Sequence, residues 1–362
     1  MRRCPYCDFS IALFTDRVTP VRFLRGLELE VGRLQRRHAP RTIFVGGGTP
    51  TVLKPDDLQA FFQILWKRFD RSRLTEFSIE ANPENLRPDR IACLVENGIT
   101  RVSLGAQSFD PGSLRFLGRR HAPDTIRNAV SNLRRAGLSR INLDLIYGLP
   151  GQTKASLDAD LSQLLRLDSD HVSAYALTYE PGTALTASRD RGELHPLRDE
   201  QELELYRLVR DRLRAAGYHQ YEVSNFARPG ARCRHNLTYW RNRSYLGLGP
   251  SAVSYVDGTR RKNHADLATW CDRLERGLDP TMEQETLETS RSLRETVMLA
   301  LRTPSGVTDA SLRRRHGVGF EALDPARLTH LVEHDLLRWT PERIRPTARG
   351  LEMADGLAAA LL

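Results

Sequence analysis

Lysine is nearly missing from this chain. Of its 54 basic residues four are lysine (Lys54, Lys67, Lys154 and Lys262) and 50 are arginine; with 45 acids the formal charge is +9. A positive balance is compatible with anionic partners. The arginines are spread along the sequence, however, so the bias reads as compositional and no nucleic-acid partner is expected. Long apolar runs are missing too. None approaches the ~20 residues that span a bilayer, and the apolar stretch 356–362 is far shorter. No signal peptide is expected ahead of Cys4, because the apolar residues 10–14 are broken by Thr15-Asp16-Arg17 before an h-region of ~7 residues can form. The expected location is the cytoplasm. Cysteine is scarce and odd in number, five in 362 residues, which argues against a disulfide framework. Internal repeats and low-complexity tracts are absent.

What is present is alternation. Short β-branched or apolar runs at 42–45, 77–80, 101–105, 141–146 and 171–177 are separated by amphipathic stretches. Leu24, Leu27, Val31 and Leu34 share one helical face, as do Leu58, Phe61, Phe62 and Leu65. Further helical stretches cover 91–95, 126–133 and 157–165. This pattern predicts a parallel sheet with helical crossovers, either a barrel or a doubly wound fold. Polar and glycine residues gather near the C-terminal strand ends (Gly46-Gly47-Gly48, Glu80, Gln107 and Asp144), the edge where α/β folds build their sites. After Pro181-Gly182 the pattern changes. Residues 200–216 read as a charged helix, 227–236 as a loop, and 239–255 as an aromatic- and glycine-rich segment. From about Ser290 a helix–strand–helix order predicts a winged-helix-like unit, read as a packing module.

Cys4-Pro5-Tyr6-Cys7 is the only close cysteine pair. Two such thiolates can grip a metal or one face of a cluster. By spacing alone an iron–sulfur cluster, half of a zinc site and no metal all stay open. Cys93 and Cys271 lie on helix-like segments and read as packing residues. Asp144 sits inside an apolar strand, where an acid is costly unless partnered. An arginine such as Arg119 can hold a carboxylate bidentately. In His235-Asn236-Leu237-Thr238-Tyr239-Trp240 a neutral imidazole stands beside two aromatics, a combination able to ligate and pack a porphyrin.

With its neighbours Asp8-Phe9, the cysteine pair resembles the end of the radical S-adenosylmethionine (SAM) signature, cysteine–three residues–cysteine–two residues–cysteine. The resemblance extends through Gly46-Gly47-Gly48-Thr49-Pro50, residues 78–83, 101–110, 117–121 and 142–152. In that family three thiolates hold a [4Fe–4S] cluster whose fourth iron binds SAM. It implies Cys4 and Cys7 as cluster ligands, and Phe9, Gly46, Gly47, Gly48, Thr49, Glu80, Gln107, Arg119 and Asp144 around SAM. The first cysteine of the signature would fall one residue before Met1, so a truncated reading of a longer chain is expected. These blocks are similar to the oxygen-independent coproporphyrinogen III oxidase family. Phe9, where the oxidases carry a fourth cysteine, and the His-Asn-x-x-Tyr-Trp motif match its HemW heme-chaperone branch.

That resemblance implies an α/β fold. A partial TIM-like (β/α)6 barrel would span residues 1–225, followed by a mainly helical C-terminal domain, 226–362, with a winged-helix-like end. It implies heme as a further cofactor with His235, Tyr239 and Trp240 as contacts, Cys233 as a weaker candidate, and heme-accepting proteins such as respiratory enzymes as partners. Homodimerisation and peripheral membrane contact stay open. The alternative is anaerobic porphyrinogen decarboxylation, against which Phe9 and the His-Asn-x-x-Tyr-Trp motif count. A cluster-free structural or nucleic-acid-binding protein is a third class.

Overall fold

The computed structural model describes residues 3–9 and 18–361. Helix α1 (Val18–Gly32) precedes five strands: β1 (Thr42–Val45), β2 (Glu76–Ala81), β3 (Arg101–Gln107), β4 (Arg140–Tyr147) and β5 (His171–Ala176). Every expected strand is found, with ends moved by at most two residues. Between them lie α2 (Pro55–Trp66), α3 (Pro88–Glu96), α4 (Pro111–Phe116), α5 (Pro123–Arg135) and α6 (Lys154–Arg166). Four of these helices open on proline, whose fixed φ suits the first turn and whose missing N–H is not needed there. The fifth, α6, opens on a capping box in which Thr153 and Ser156 satisfy each other's backbone N–H groups.

Strands β1 to β5 pair in parallel and in chain order, which gives the partial barrel. Helices α7 (Ala184–Asp190) and α8 (Asp199–Ala215) then lead to β6 (His219–Gln220) and β7 (Asn225–Ala227). The last two places of the sheet are filled by β7, antiparallel to β5, and by β6 outside it. Strand alternation sends two sets of side chains to opposite faces. Phe77, Ile79, Val102, Leu104, Ile141, Leu143 and Val172 are buried under the helices in the main apolar core. The other set (Ser78, Glu80, Arg101, Ser103, Asn142, Asp144, His171 and Ser173) faces inward, so the barrel has a polar lumen.

Beyond the barrel, α9 (Arg234–Trp240) corrects the expectation of a loop over 227–236: the helix begins within that stretch. The carboxylate of Glu76, at the start of β2, accepts the N–H groups of Arg234 and His235, and Cys233 Sγ accepts that of Asn236. An acceptor 158 and 159 residues away in sequence thus satisfies two donors of the first turn that no local side chain caps. Strands β8 (Val253–Val256), β9 (Thr259–Asn263) and β10 (Thr281–Thr286) form an antiparallel sheet. Helix α10 (Leu267–Glu275) returns to α1, where buried Trp270 lies over Gly26, a site with no room for a Cβ.

The chain ends in the expected winged-helix-like arrangement: α11 (Thr289–Leu301), β11 (Val307–Thr308), α12 (Asp309–His316), α13 (Pro325–Glu333), β12 (Leu337–Trp339), β13 (Arg343–Pro346), α14 (Ala348–Glu352) and α15 (Ala354–Ala360). Its sheet order is β11-β13-β12. Leu293, Val297, Leu312, Leu328 and Ile344 centre a core of its own. Glu352 ties the unit to α8 through Arg207 and Arg210.

Candidate functional site

One cavity of about 1610 Å³ opens at the C-terminal strand ends and runs down the lumen. That exceeds the ~300–1,000 Å³ of ordinary small-molecule sites. At its mouth Cys4 and Cys7 occupy a turn closed by Cys7 N–H donating to Cys4 O at 3.2 Å. Leu185 N–H donates to Pro5 O at 2.9 Å, and Tyr6 packs against the small apolar cluster of Leu117, Ile146, Leu149, Leu177 and Leu185. Gly118, at φ +68°, lets the turn approach, since a Cβ there would stand 2.7 Å from Pro5 Cδ. Burial raises the pKa of the Cys7 thiol. Phe9 is 53% exposed and lines the same mouth.

The other mouth residues come from successive strand ends. Gly46 has no space for a side chain, because its Cβ would meet Glu80 Cδ at 2.8 Å and the Phe44 ring at 2.5 Å. The Gly47 N–H donates to Glu80 Oε2 at 3.1 Å. Gly48 follows, and Thr49 Oγ1 accepts from Asn82 Nδ2 at 3.1 Å. Gln107 sits at φ +67°, where the β3–β4 ladder breaks after Leu104; a non-glycine residue there is uncommon. Arg119 Nη2 donates to Asn82 Oδ1 at 2.6 Å and Gly105 O at 2.8 Å, while Nη1 approaches Cys4 Sγ at 3.8 Å. Burial, and then the neighbouring Asp144 charge, push the Glu80 carboxyl up to about 7. Burial pushes Asp144 up to about 6 against hydrogen bonds from Asn142, Ser173 and Ser103. Neither acid forms an ion pair among the described residues. The Arg119 charge offsets this burial only in part, and only for Asp144, so the two buried carboxyls suit a ligand that brings a cation.

Below Asp144 the lumen is wired by hydrogen bonds. Asn142 Nδ2 donates to Ser103 Oγ and to Asp144 Oδ1, both at 2.7 Å. Asn142 Oδ1 lies 2.6 Å from His171 Nδ1, and His171 Nε2 lies 2.8 Å from Tyr221 OH. Ser173 Oγ donates to Asn225 Oδ1 at 2.7 Å. Burial holds His171 well below the usual imidazole range.

At the far, N-terminal end of the strands stands α9. His235 Nδ1 lies 2.9 Å from Thr42 Oγ1 and Nε2 lies 2.8 Å from Tyr239 OH. The imidazole stacks on Phe44 with centroids 5.3 Å apart, and burial pulls its pKa down to about 4. His235 and Tyr239 line the cavity; Trp240 does not, and lies instead beneath the Arg302 guanidinium. Cys233 is buried, donates to Glu76 Oε1 and is pushed up to about 12 by burial. Cys93 and Cys271 are buried in the main core.

Cys4, Cys7, Phe9, Gly46, Gly47, Gly48, Thr49, Glu80, Gln107, Arg119 and Asp144 are thus gathered round one mouth, and His235 and Tyr239 round the other end. Glu76 and Glu80 mark the two levels, ~13 Å apart at strand rise. Among the described residues no group of three or more His, Cys, Asp or Glu side chains is arranged to hold a metal ion. Asn82, Asn142, His171 and Glu76 were not singled out from the sequence as site residues. Their only local signal is a polar residue within, or at the end of, an apolar run.

The radical SAM superfamily matches residues 1–164 and the HemN C-terminal domain matches residues 291–352. The heme chaperone HemW of Bacillus subtilis is 34% identical over 99% of this chain and 96% of its own length. HemW of Mycobacterium tuberculosis is 36% identical over 100% of this chain and 92% of its own length. The structure of coproporphyrinogen III oxidase (HemN) from Escherichia coli shares the fold, with a TM-score of 0.88 at 22% identity, covering 99% of this chain and 87% of that one. Placed beside the polar lumen and the mouth built on strands β1 to β4, these similarities lead to one conclusion: the chain belongs to the HemW family of the radical SAM superfamily.

Proposed function

We propose that this protein is a heme chaperone that binds heme and passes it to heme-requiring proteins, with a [4Fe–4S] cluster and SAM at the barrel mouth. The observation that carries the reading is the seating of α9. It offers the lumen a neutral imidazole, His235, flanked by Phe44 and Tyr239. A neutral imidazole is a good axial ligand for heme iron. Because Tyr239 occupies Nε2 and Thr42 occupies Nδ1, ligation requires one of these hydroxyls to swing away. Trp240 would support heme indirectly, by holding α9 against Arg302.

The mouth residues fit the cluster and SAM in kind. Cys4 and Cys7 would supply two thiolates, and the remaining cysteines stand elsewhere, Cys93 and Cys271 in the core and Cys233 at the far end. When bound, the cluster would supply electrons to the sulfonium of SAM. Glu80 and Asp144 would offer negative charge to a cationic ligand, Gly46–Gly48 would let it approach the backbone, and Arg119 and Gln107 would orient its polar groups. Phe9 would cover it at the mouth.

Heme added to the purified protein should give a Soret shift that is weakened in His235→Ala; an identical spectrum in the variant removes His235 as a ligand. Anaerobic incubation with SAM and coproporphyrinogen III should give no protoporphyrinogen, and turnover would replace the chaperone reading with the oxidase one.

A further inference from the structure

Arg101, the first residue of β3, is 4% exposed and lines the lumen. Its Nη1 donates to Ala231 O at 2.9 Å. Its Nη2 is buried and has no hydrogen-bond partner. No carboxylate lies within ion-pair distance of it among the described residues. The residue paired with it on β2 is Ser78, fully buried, whose Oγ also lacks a partner. Paired residues of parallel strands point to the same face, so both residues belong to the lumen side of the sheet. Burying a guanidinium against one carbonyl leaves most of its desolvation uncompensated. An unsatisfied donor of this kind in a native fold calls for an occupant. The ligand chemistry that fits is a carboxylate. It accepts from a guanidinium amino group and a hydroxyl together, and it neutralises the charge. Asn142, His171, Cys233 and His235 line the same end of the cavity, and the Glu76 carboxylate at that end is already engaged by Cys233 Sγ and by the N–H groups of Arg234 and His235.

We propose that Arg101 and Ser78 form a carboxylate subsite at the N-terminal end of the lumen, and that its occupant is a propionate of the bound porphyrin. The proposal rests on the heme reading above and deepens it, by giving the macrocycle an anchor at the His235 end. Arg101 then fixes the orientation of the ring, while its other amino group keeps the segment ending in Cys233 against the barrel through Ala231 O.

The test compares heme with heme dimethyl ester, which has the same ring and iron but no free carboxylate, titrated into the full chain and followed at the Soret band. The wild type should bind heme at least about tenfold more tightly than the ester. Arg101→Gln should bring heme down to the affinity of the ester and leave the ester unchanged; Ser78→Ala should lose about threefold for heme alone. Equal affinity of the wild type for both ligands would overturn the subsite, and needs no variant that folds. Equal losses for both ligands in a folded Arg101→Gln would also overturn it and leave Arg101 a purely structural group. A wild type that binds neither porphyrin overturns the heme reading itself.

Discussion

Thr42 Oγ1 lies 2.9 Å from His235 Nδ1, joining the first barrel strand to a helix 193 residues further on. The imidazole is therefore aimed from behind, and its other nitrogen meets Tyr239 OH. Tyr239→Phe frees Nε2 while keeping the ring. Heme affinity in this variant should hold or rise by roughly 2–10-fold, the worth of one hydrogen bond no longer broken on ligation. Thr42→Val, which frees the ring to rotate, should lower it. A Tyr239→Phe protein that loses heme as completely as His235→Ala would show that the tyrosine itself is the ligand.

The pH dependence follows from the same burial. His235 is held down to about 4, so it stays neutral from pH 8 to pH 5, and heme affinity should be flat over that range and fall only below it. The unfolded imidazole binds a proton near 6.5. Between 6.5 and 4 the unfolded chain carries more protons at this site than the folded one, so this group makes the fold less stable as the pH falls. Melting curves of His235→Gln against the wild type should converge above pH 7 in slope and diverge below 6.

Glu80 and Asp144 work in the opposite sense. Their folded values, about 7 and about 6, lie above the unfolded ones, so the fold loses stability as the pH rises through them. Glu80→Gln should melt roughly 5 °C above the wild type at pH 8 without ligand, and no differently at pH 4. SAM affinity, measured calorimetrically on reconstituted protein, should rise from pH 6 to pH 8 in the wild type. It should be lower and nearly flat in the variant.

Gly118 holds φ +68° with Pro5 Cδ 2.7 Å from where a Cβ would be. Gly118→Ala should displace the Cys4–Cys7 turn and cut the iron bound after anaerobic reconstitution several-fold. The winged-helix-like unit has a core of its own that includes none of these residues and should melt unchanged. Full iron loading in this variant would separate the turn from metal binding.

Arg119 divides one guanidinium among Asn82 Oδ1, Gly105 O and the Cys4 thiol. Lysine has no planar fork to reach these acceptors together. Arg119→Lys should lose about 1–3 kcal/mol of stability, and the loss in the Arg119→Lys/Gly118→Ala double variant should differ from the sum of the two single losses, since both act on the same turn. Denaturant melts of the two single variants and the double variant check this.

Much of this was legible along the chain. The five strands, the helices between them and the closing winged-helix-like unit follow from short-range patterns: apolar runs, helical faces, and proline at four helix starts. The mouth was legible because its residues sit at strand ends, and in a parallel sheet strand ends share an edge. The His-Asn-x-x-Tyr-Trp segment was legible as a motif but was read partly as loop, since the cap that starts its helix is Glu76 on β2.

By itself the sequence determined the order of elements, the residue types at the mouth and the family. Local periodicity and motif spacing carry that information. Tertiary structure alone decided which face of each strand is polar, because only closure of the sheet turns Arg101, Asn142 and His171 toward one lumen. It decided too that His235 stands at the opposite end of that lumen from Cys4, with Trp240 facing away under Arg302. It left Glu80, Asp144 and Arg101 buried without a salt bridge among the described residues. Charge burial depends on neighbours brought from other strands, and no window of sequence contains them.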